Sequence, residues 1–110
     1  MKLDLSNYRI SLVICPVDMR RGFLSLSALA LTLLNVDVGQ GRDCVVFVSS
    51  RRTVCKVIWA DEHGAVMLTR SLKQGRFSRL LDQSLITHEI ALSELTHFLD
   101  GGAIWRSEKG

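Results

Sequence analysis

Three short apolar segments separated by tight turns constrain the fold of this chain more than any other feature of its sequence. "DCVVFVSS" (43–50) ends in a turn, "RTVCKVIWA" (52–60) follows, and "DEHG" leads into "AVMLTRSLK" (65–73). Segments rich in Val and Ile that are bounded by turn residues are typical of consecutive β-strands joined as hairpins. The sequence therefore predicts an antiparallel β-meander.

The register of the second hairpin assigns residues to faces. If Ala60 pairs with Ala65, residues whose numbers sum to 125 oppose each other. One face is then apolar apart from an arginine near its end, with Cys55, Val57, Trp59, Val66, Leu68, Leu72 and Arg70. The other face is mixed, with Lys56, Ile58, Met67, Thr69, Ser71 and Lys73. We expect the first face to pack on a helix, and the second to meet a protein partner or a second copy of the chain.

A helix is predicted before the meander. Pro16 ends a predicted strand over Arg9–Cys15, and apolar residues then recur at spacings of three and four from Asp18 onward. One stripe comprises Met19, Phe23, Leu26, Ala30 and Leu33, and a second comprises Leu24, Ala28, Leu31 and Leu34. Because both stripes are apolar, we expect a long helix buried between layers.

The last part of the chain predicts one more strand, "SLITHEI" (84–90), and a helix over Ala91–Asp100 that Gly101 and Gly102 stop. Trp105 is expected to anchor the tail. These elements predict an α+β fold in a single domain over residues 1–110, with its core at about 8–105. In it, an antiparallel β-meander sheet packs against a long buried N-terminal helix, and a second, shorter helix lies near the C-terminus.

Composition narrows the class of protein. The formal net charge of +3 is a mild bias toward anionic partners. The most apolar window, 23–34, is shorter than the roughly 20 residues that span a bilayer, so we expect a cytoplasmic protein without membrane contact. Cys15, Cys44 and Cys55 have no metal-binding spacing and are expected to be small buried hydrophobes.

No residue pattern indicates catalysis. The three histidines have no nucleophile or acid at a recognisable spacing, and no glycine-rich loop opens a helix. We therefore expect no enzyme activity, no catalytic residue, no metal and no cofactor. A small metal-dependent nuclease that uses Asp18 and Asp61 remains the less favoured alternative, because a two-metal site needs carboxylates that converge.

Basic residues near the ends of the predicted elements are the candidate binding residues. They are Arg20, Arg21, Arg51, Arg52, Lys56, Arg70, Lys73 and Arg76, with Arg79 beyond them. We expect Lys56 and Lys73 to share a face, and Arg51–Arg52 to lie at the end of the third meander strand opposite Arg76. Such cations could follow a phosphate backbone without reading base sequence. Phe47 and Phe77 are the only candidates for base stacking.

Three motifs carry a resemblance to a known family. "VDMRRGF" (17–23), "VVFVSSRRTVCKVIWADEHG" (45–64) and "RSLKQGRF" (70–77) occur in the order found in the small accessory protein of insertion sequences of the sixty-six family. That protein is called TnpB, or the second open reading frame. The resemblance covers roughly residues 8–105 and rests on Asp18–Phe23, Arg51–Arg52, Lys56, Trp59, Asp61, Gly64 and Gly75–Phe77.

The resemblance implies a non-catalytic accessory protein that supports DNA transposition. Its expected partners are DNA and the transposase of the same element, with a homodimer as a further possibility. The alternative is a protein-binding adapter or homodimer module that makes no DNA contact. For the first motif, we expect Asp18 to cap the helix while Arg20 and Arg21 project from its first turn toward an anion. The competing interpretation is that one arginine pairs with Asp18 or Asp61 and organises the fold.

Overall fold

The computed structural model describes residues 4–78 and 87–102. The strands are β1 (Arg9–Val13), β2 (Asp43–Val48), β3 (Val54–Asp61), β4 (Gly64–Ser71) and β5 (Thr87–Ile90). The helices are α1 (Phe23–Leu34) and α2 (Leu92–Leu99), and a 3-10 turn covers Val38–Gln40. The predictions for Arg79, Trp105 and residues 84–86 lie outside the described residues, and a single domain over 1–110 stays a prediction.

The five strands form one mixed sheet in the order β4-β3-β2-β1-β5. β1 pairs parallel with β2, and the other neighbours are antiparallel. Strand, helix and parallel strand in succession require a crossover, which α1 provides. The prediction of a purely antiparallel meander is therefore wrong, although β2, β3 and β4 do form consecutive hairpins.

The predicted register of the β3–β4 hairpin is confirmed. Ala60 pairs with Ala65, and the pairing continues to Val54 and Ser71. Asp61 forms the two-residue turn, since its carboxylate accepts hydrogen bonds from the backbone N–H groups of His63 (2.8 Å) and Gly64 (3.1 Å). Gly64 has φ 135°, a backbone conformation that a side chain would disfavour.

The two sheet faces carry separate apolar clusters. Cys55 and Val57 pack with Leu95, Phe98 and Leu99 of α2, in a cluster that also includes buried residues of β1, β2 and β5. Ile58 lies on the opposite face and packs with Leu26 and Ala30 of α1, together with Val45 and Phe47 of β2. The face that the sequence assigns to the first helix thus packs on the second helix, and the mixed face is partly covered by α1.

The first helix is shorter and less buried than its sequence predicts. It comprises 12 residues, and Asn35 ends it with φ 55°. Leu26 and Ala30 are buried, whereas Leu24 is 84% exposed and Leu31 54% exposed. The first predicted stripe faces the sheet, and part of the second faces outward. The prediction of a long helix buried between layers is therefore wrong.

The second helix agrees with its prediction to within one residue at each end. The carboxylate of Glu94 accepts a 2.8 Å hydrogen bond from the N–H of Ala91, just before the first turn. After the helix, Gly101 has φ 89° and its N–H bonds the carbonyl of Phe98 at 2.9 Å. Within the described residues, no helix is both long and apolar enough to cross a membrane.

Candidate anion-binding end of the sheet

The connections that follow β1, β2 and β4 meet at one end of the sheet. β1 and β2 are parallel, so their carboxyl ends lie at the same edge, and β4 ends there too because it is antiparallel to β3. The N–H of Val17 bonds the carbonyl of Val48 at 3.1 Å, which joins the first connection to the end of β2. We call this edge the carboxyl end, and it contains the connections 14–22, 49–53 and 72–78.

The "VDMRRGF" motif begins in an irregular connection and enters α1 only at Phe23. Asp18 accepts from the backbone N–H of Arg20 at 2.9 Å and from its guanidinium at 2.7–3.1 Å. These contacts hold the pKa of Asp18 well below its usual range, and the hydrogen bonds from the Arg20 side chain are the largest cause. The prediction that Asp18 caps the helix is wrong, because the residue before the helix is Gly22, which offers no side-chain cap. The competing interpretation is confirmed in its pairing of an arginine with Asp18, and its claim that this pair organises the fold stays a prediction.

Arg21 and Lys56 lie together on the α1 side of the sheet. The guanidinium of Arg21 donates to Ser25 Oγ at 2.7 Å, and Lys56 Nζ donates to the backbone carbonyl of Arg21 at 2.8 Å. Ser25 is uncharged, so the positive charge of Arg21 is not offset by this contact. This hydrogen bond of Lys56 connects β3 to the segment just before the start of α1.

The loop between β2 and β3 presents Arg51 and Arg52. Ser49 Oγ accepts from the N–H groups of Thr53 and Val54, both at 3.2 Å. Arg52 has φ 59°, the left-handed region that costs a residue with a Cβ about 1–2 kcal/mol. The loop therefore holds Arg52 in a defined but strained backbone conformation.

A second connection is hydrogen-bonded directly to this loop. The N–H of Phe77 donates to the carbonyl of Arg52 at 2.6 Å, and the N–H of Leu72 donates to that of Thr53 at 3.0 Å. Lys73 and Arg76 lie between these two anchors and are exposed. We call segments 49–53 and 72–78 the basic loop pair. The sequence predicted that Arg51–Arg52 and Arg76 lie at opposite ends of β4. That prediction is wrong, because β2 and β4 both end at the carboxyl end of the sheet.

Arg70 is on the other face of the sheet. It pairs with Cys55 in register, and its guanidinium lies 3.8 Å from the carboxylate of Asp100 at the end of α2. Lys56 faces α1 instead. Lys73 lies two residues beyond the end of β4, so the prediction that Lys56 and Lys73 share a strand face stays a prediction.

All eight candidate residues nevertheless lie at or near the carboxyl end. Four of the cations have an oxygen partner: Arg20 with Asp18, Arg21 with Ser25 Oγ, Lys56 with the carbonyl of Arg21, and Arg70 with Asp100. Within residues 4–78 and 87–102, Arg51, Arg52, Lys73 and Arg76 have no side-chain hydrogen bond or ion pair. These four side chains are thus free to meet an anion without first breaking a contact in the described part of the chain.

The opposite edge, which we call the amino end, is acidic. In the described residues its charged side chains are six acids and two arginines: Asp4, Asp37, Asp43, Asp61, Glu62, Glu94, Arg9 and Arg42. Among the same described residues, the carboxyl end has eight cations and two acids, Asp18 and Asp100. At the amino end, partial burial and then the nearby Asp61 carboxylate raise the pKa of Tyr8. Charge is therefore separated along the strand direction.

Phe47 and Phe77 are not available for base stacking. Phe47 is fully buried beneath α1, and Phe77 is 1% exposed with its ring stacked on Phe98 at a centroid distance of 5.1 Å. The prediction that they offer a stacking surface is wrong. The sequence could not distinguish a loop phenylalanine that packs under a helix from one that faces solvent.

Asp18 and Asp61 do not converge. Asp18 lies at the carboxyl end and Asp61 at the end of β3 that reaches the amino end, about 20 Å away along the strand direction at roughly 3.3 Å per residue. Among the described residues, no group of three His, Cys, Asp or Glu side chains could hold a metal ion. The pair on which the nuclease alternative depends therefore has no shared site.

The three thiols differ in exposure. Cys15 is exposed, which corrects the prediction that all three are buried, while Cys44 and Cys55 are fully buried in the α2 cluster. Burial is the main cause that raises the pKa of each of these two to about 12. They are neutral core residues at physiological pH.

Two structural residues of the site were missed from the sequence. Ser49 organises the β2–β3 loop, and Ser25 accepts a hydrogen bond from the Arg21 guanidinium. A pair of serines before a double arginine is a turn signal that could have indicated the first contact. The signal for the parallel strand pair was the crossover of more than a dozen residues between β1 and β2.

Comparison with known proteins identifies relatives of this chain. Residues 8–109 match the family described as IS66 Orf2 like protein. Over 71 residues the chain is 34% identical to the uncharacterized protein y4hO of Sinorhizobium fredii (strain NBRC 101917 / NGR234). That match covers 64% of this chain and 61% of the relative, so the chain spans less than two thirds of the relative's length. No solved structure matches the chain significantly.

Proposed function

Because this chain belongs to the family of IS66 Orf2 like proteins, we propose that it is a non-catalytic accessory protein of an insertion sequence that binds the DNA backbone. The basic loop pair is the proposed contact, with Arg51, Arg52, Lys73 and Arg76 on phosphates and Arg21 beside them. The observation that carries this proposal is the direct hydrogen bonding of the two loops, which gathers at one edge four cations without a side-chain partner among the described residues.

The size of this edge suits a nucleic acid backbone. Its connections extend from β1 to β4, about 15 Å at roughly 4.8 Å between neighbouring strands. A DNA duplex carries about nine phosphate charges over that length. Acidic side chains are concentrated at the other edge, so a duplex meets less repulsion at the carboxyl end. With both candidate aromatic side chains buried, duplex binding without base stacking is favoured over a single-strand platform.

A matched pair of double variants tests this function. Lys73→Gln with Arg76→Gln removes two exposed cations from the basic loop pair, and Arg9→Gln with Arg42→Gln removes two from the amino end. Both variants change the net charge equally, so non-specific attraction to DNA is affected alike. Fluorescence anisotropy with a labelled duplex, measured from about 50 to 200 mM salt, gives the salt dependence of the dissociation constant for each protein.

If Lys73 and Arg76 contact phosphates, the slope of log affinity against log salt falls by about 1.8 in the first variant, at roughly 0.9 for each contact. The amino-end variant should keep the slope of the unmodified protein. An equal reduction in both variants contradicts a localised site. No measurable binding by the unmodified protein, even at low salt, contradicts DNA binding altogether.

One observation favours the alternative, an adapter that binds only protein. The outward stripe of α1 is apolar and the helix contains no charged residue, with Leu24 and Leu31 more than half exposed. The transposase of the same element is the proposed partner. Leu24→Gln with Leu31→Gln should then abolish co-purification with that transposase, and the unmodified protein should show no affinity for duplex DNA. Retained co-purification rules out this stripe as the contact.

A further inference from the structure

β4 is an edge strand with a free outer side. It lies at the end of the sheet order, and within residues 4–78 and 87–102 no other strand pairs with that side. It spans eight residues and contains one charged side chain, Arg70. Proline, lysine and β-bulges commonly protect such edges from pairing with another chain, and β4 contains no proline or lysine. An unprotected edge of this length is suited to receive an additional strand.

The exposed face of β4 is apolar at its centre. Met67 is 39% exposed and lies on the α1 side of the sheet, opposite Ile58 in register. Ala65, Thr69 and Ser71 are on the same face and are also exposed. No charged side chain projects from that face of the strand, so a second copy of the same edge would meet no like charge there.

Charge separation along β4 determines the direction in which two such edges can pair. The strand begins beside Asp61 and Glu62 at the acidic amino end and finishes beside Lys73 and Arg76 at the basic carboxyl end. A parallel arrangement of two copies would place like charges together. An antiparallel arrangement places the basic end of each copy beside the acidic end of the other, and it is compatible with a two-fold axis.

We propose that two copies of this chain form a symmetric dimer by antiparallel pairing of their β4 edges, centred on Met67. In this arrangement Gly64 of one copy opposes Arg70 of the other, so Lys73, three residues after Arg70, lies near the acidic Asp61–Gly64 turn of the other copy. The two five-stranded sheets become one continuous sheet of ten strands. The pairing is carried by the strand edge, and Lys73 is the residue that it shares with the proposed DNA contact. The Met67 variants leave that contact intact, so they test the dimer independently of the proposed function.

Cysteine cross-linking tests the geometry directly. In a Cys15→Ser background, Met67→Cys places two thiols across the two-fold axis, where paired Cα atoms lie about 4.5–5.5 Å apart, within the range that a disulfide can span. Leu24→Cys in the same background is the matched control, because it puts a thiol on an exposed apolar position outside β4. We expect the Met67→Cys chain to become a covalent dimer under mild oxidation and the control to remain mostly uncross-linked.

Sedimentation measurements test the energetics. Met67→Lys brings two like charges together at the axis and should raise the dimer dissociation constant by roughly tenfold or more, whereas Leu24→Lys should leave it unchanged. Lys73→Glu should also weaken the dimer, and adding Glu62→Lys should restore part of the loss. A chain that stays monomeric at about 100 μM and gives no Met67→Cys cross-link overturns the proposal. A dimer that Leu24→Lys disrupts and Met67→Lys does not overturns it equally.

Discussion

Lys56 Nζ donates a 2.8 Å hydrogen bond to the backbone carbonyl of Arg21, a residue 35 positions earlier in the chain. The contact connects the third strand of the sheet to the residue just before Gly22 and α1. It places a cation of the strand next to a cation of the connection, although the two are far apart in sequence. The carboxyl end is therefore organised partly by side-chain to backbone contacts.

Replacing Lys56 by methionine should destabilise the fold modestly. The loss of one hydrogen bond from a charged donor predicts a decrease of about 1 kcal/mol in the free energy of unfolding, measured by urea titration. Lys73→Met is the control, since Lys73 is exposed and has no side-chain partner in the described residues. An equal effect of the two substitutions would show that the Arg21 contact contributes nothing.

Arg52 should tolerate glycine better than valine. Its φ of 59° suits glycine, and the relief of about 1–2 kcal/mol of strain exceeds the roughly 0.5–1 kcal/mol of added freedom in the unfolded chain. We expect Arg52→Gly to be as stable as the unmodified protein or slightly more so. Arg52→Val should be less stable by about 1 kcal/mol or more. Thermal melting of both variants compares them, and a more stable valine variant would contradict the left-handed conformation.

Asp18 should support stability at neutral pH and not in acid. Its pKa is lower in the folded protein than in the unfolded chain, so its contribution is present above the unfolded value of about 3.9 and is lost as pH falls further. Asp18→Asn should therefore melt at a lower temperature than the unmodified protein at pH 7, by a small amount because both partners are exposed. The two melting temperatures should approach each other as the pH is lowered toward 2. A constant difference would mean that charge is not the cause.

The three thiols should react in two classes. Cys15 is exposed and should react with a thiol reagent in the native protein, whereas Cys44 and Cys55 should react only after unfolding. Their pKa, raised to about 12, also makes stability fall as pH rises above the ordinary thiol value of about 8.5. The slope should be about 1.4 kcal/mol per pH unit for each buried thiol, and it should be smaller when both are replaced by alanine. Three reactive thiols in the native protein would contradict the described core.

Turn residues and the spacing of apolar residues predicted the β3–β4 hairpin and the second helix well. The hairpin register at Ala60–Ala65 and the bounds of α2 followed from turn residues and apolar spacing, which depend on near neighbours in the chain. The start of α1 did not, because Asp18 forms an ion pair with Arg20 two residues later and so leaves the helical path. The sheet partner of each strand also could not be read from periodicity, since Val and Ile in β1 suit a parallel neighbour and an antiparallel one equally.

The candidate residues were identified from their types, but their assembly depended on topology. Parallel pairing of β1 with β2 brings the Arg20–Arg21 connection beside the Arg51–Arg52 loop, and the end of β4 adds Lys73 and Arg76. No spacing in the sequence relates these segments. Burial of Phe77 likewise depends on Phe98, which is distant in the chain and whose position is set by α2.

The separation of charge between the two ends gives the described part of the chain a large electric dipole that the isoelectric point of about 9.0 does not reveal. A cation-exchange resin can bind the basic end, and an anion-exchange resin can bind the acidic end. At low ionic strength, retention of the protein on either resin should therefore depend on its orientation as well as on its net charge. Near a polyanion the chain should rotate during approach, with the arginine-bearing edge arriving first. That orienting torque is long-ranged in dilute buffer and short-ranged at physiological salt, where the Debye length of about 8 Å is smaller than the molecule.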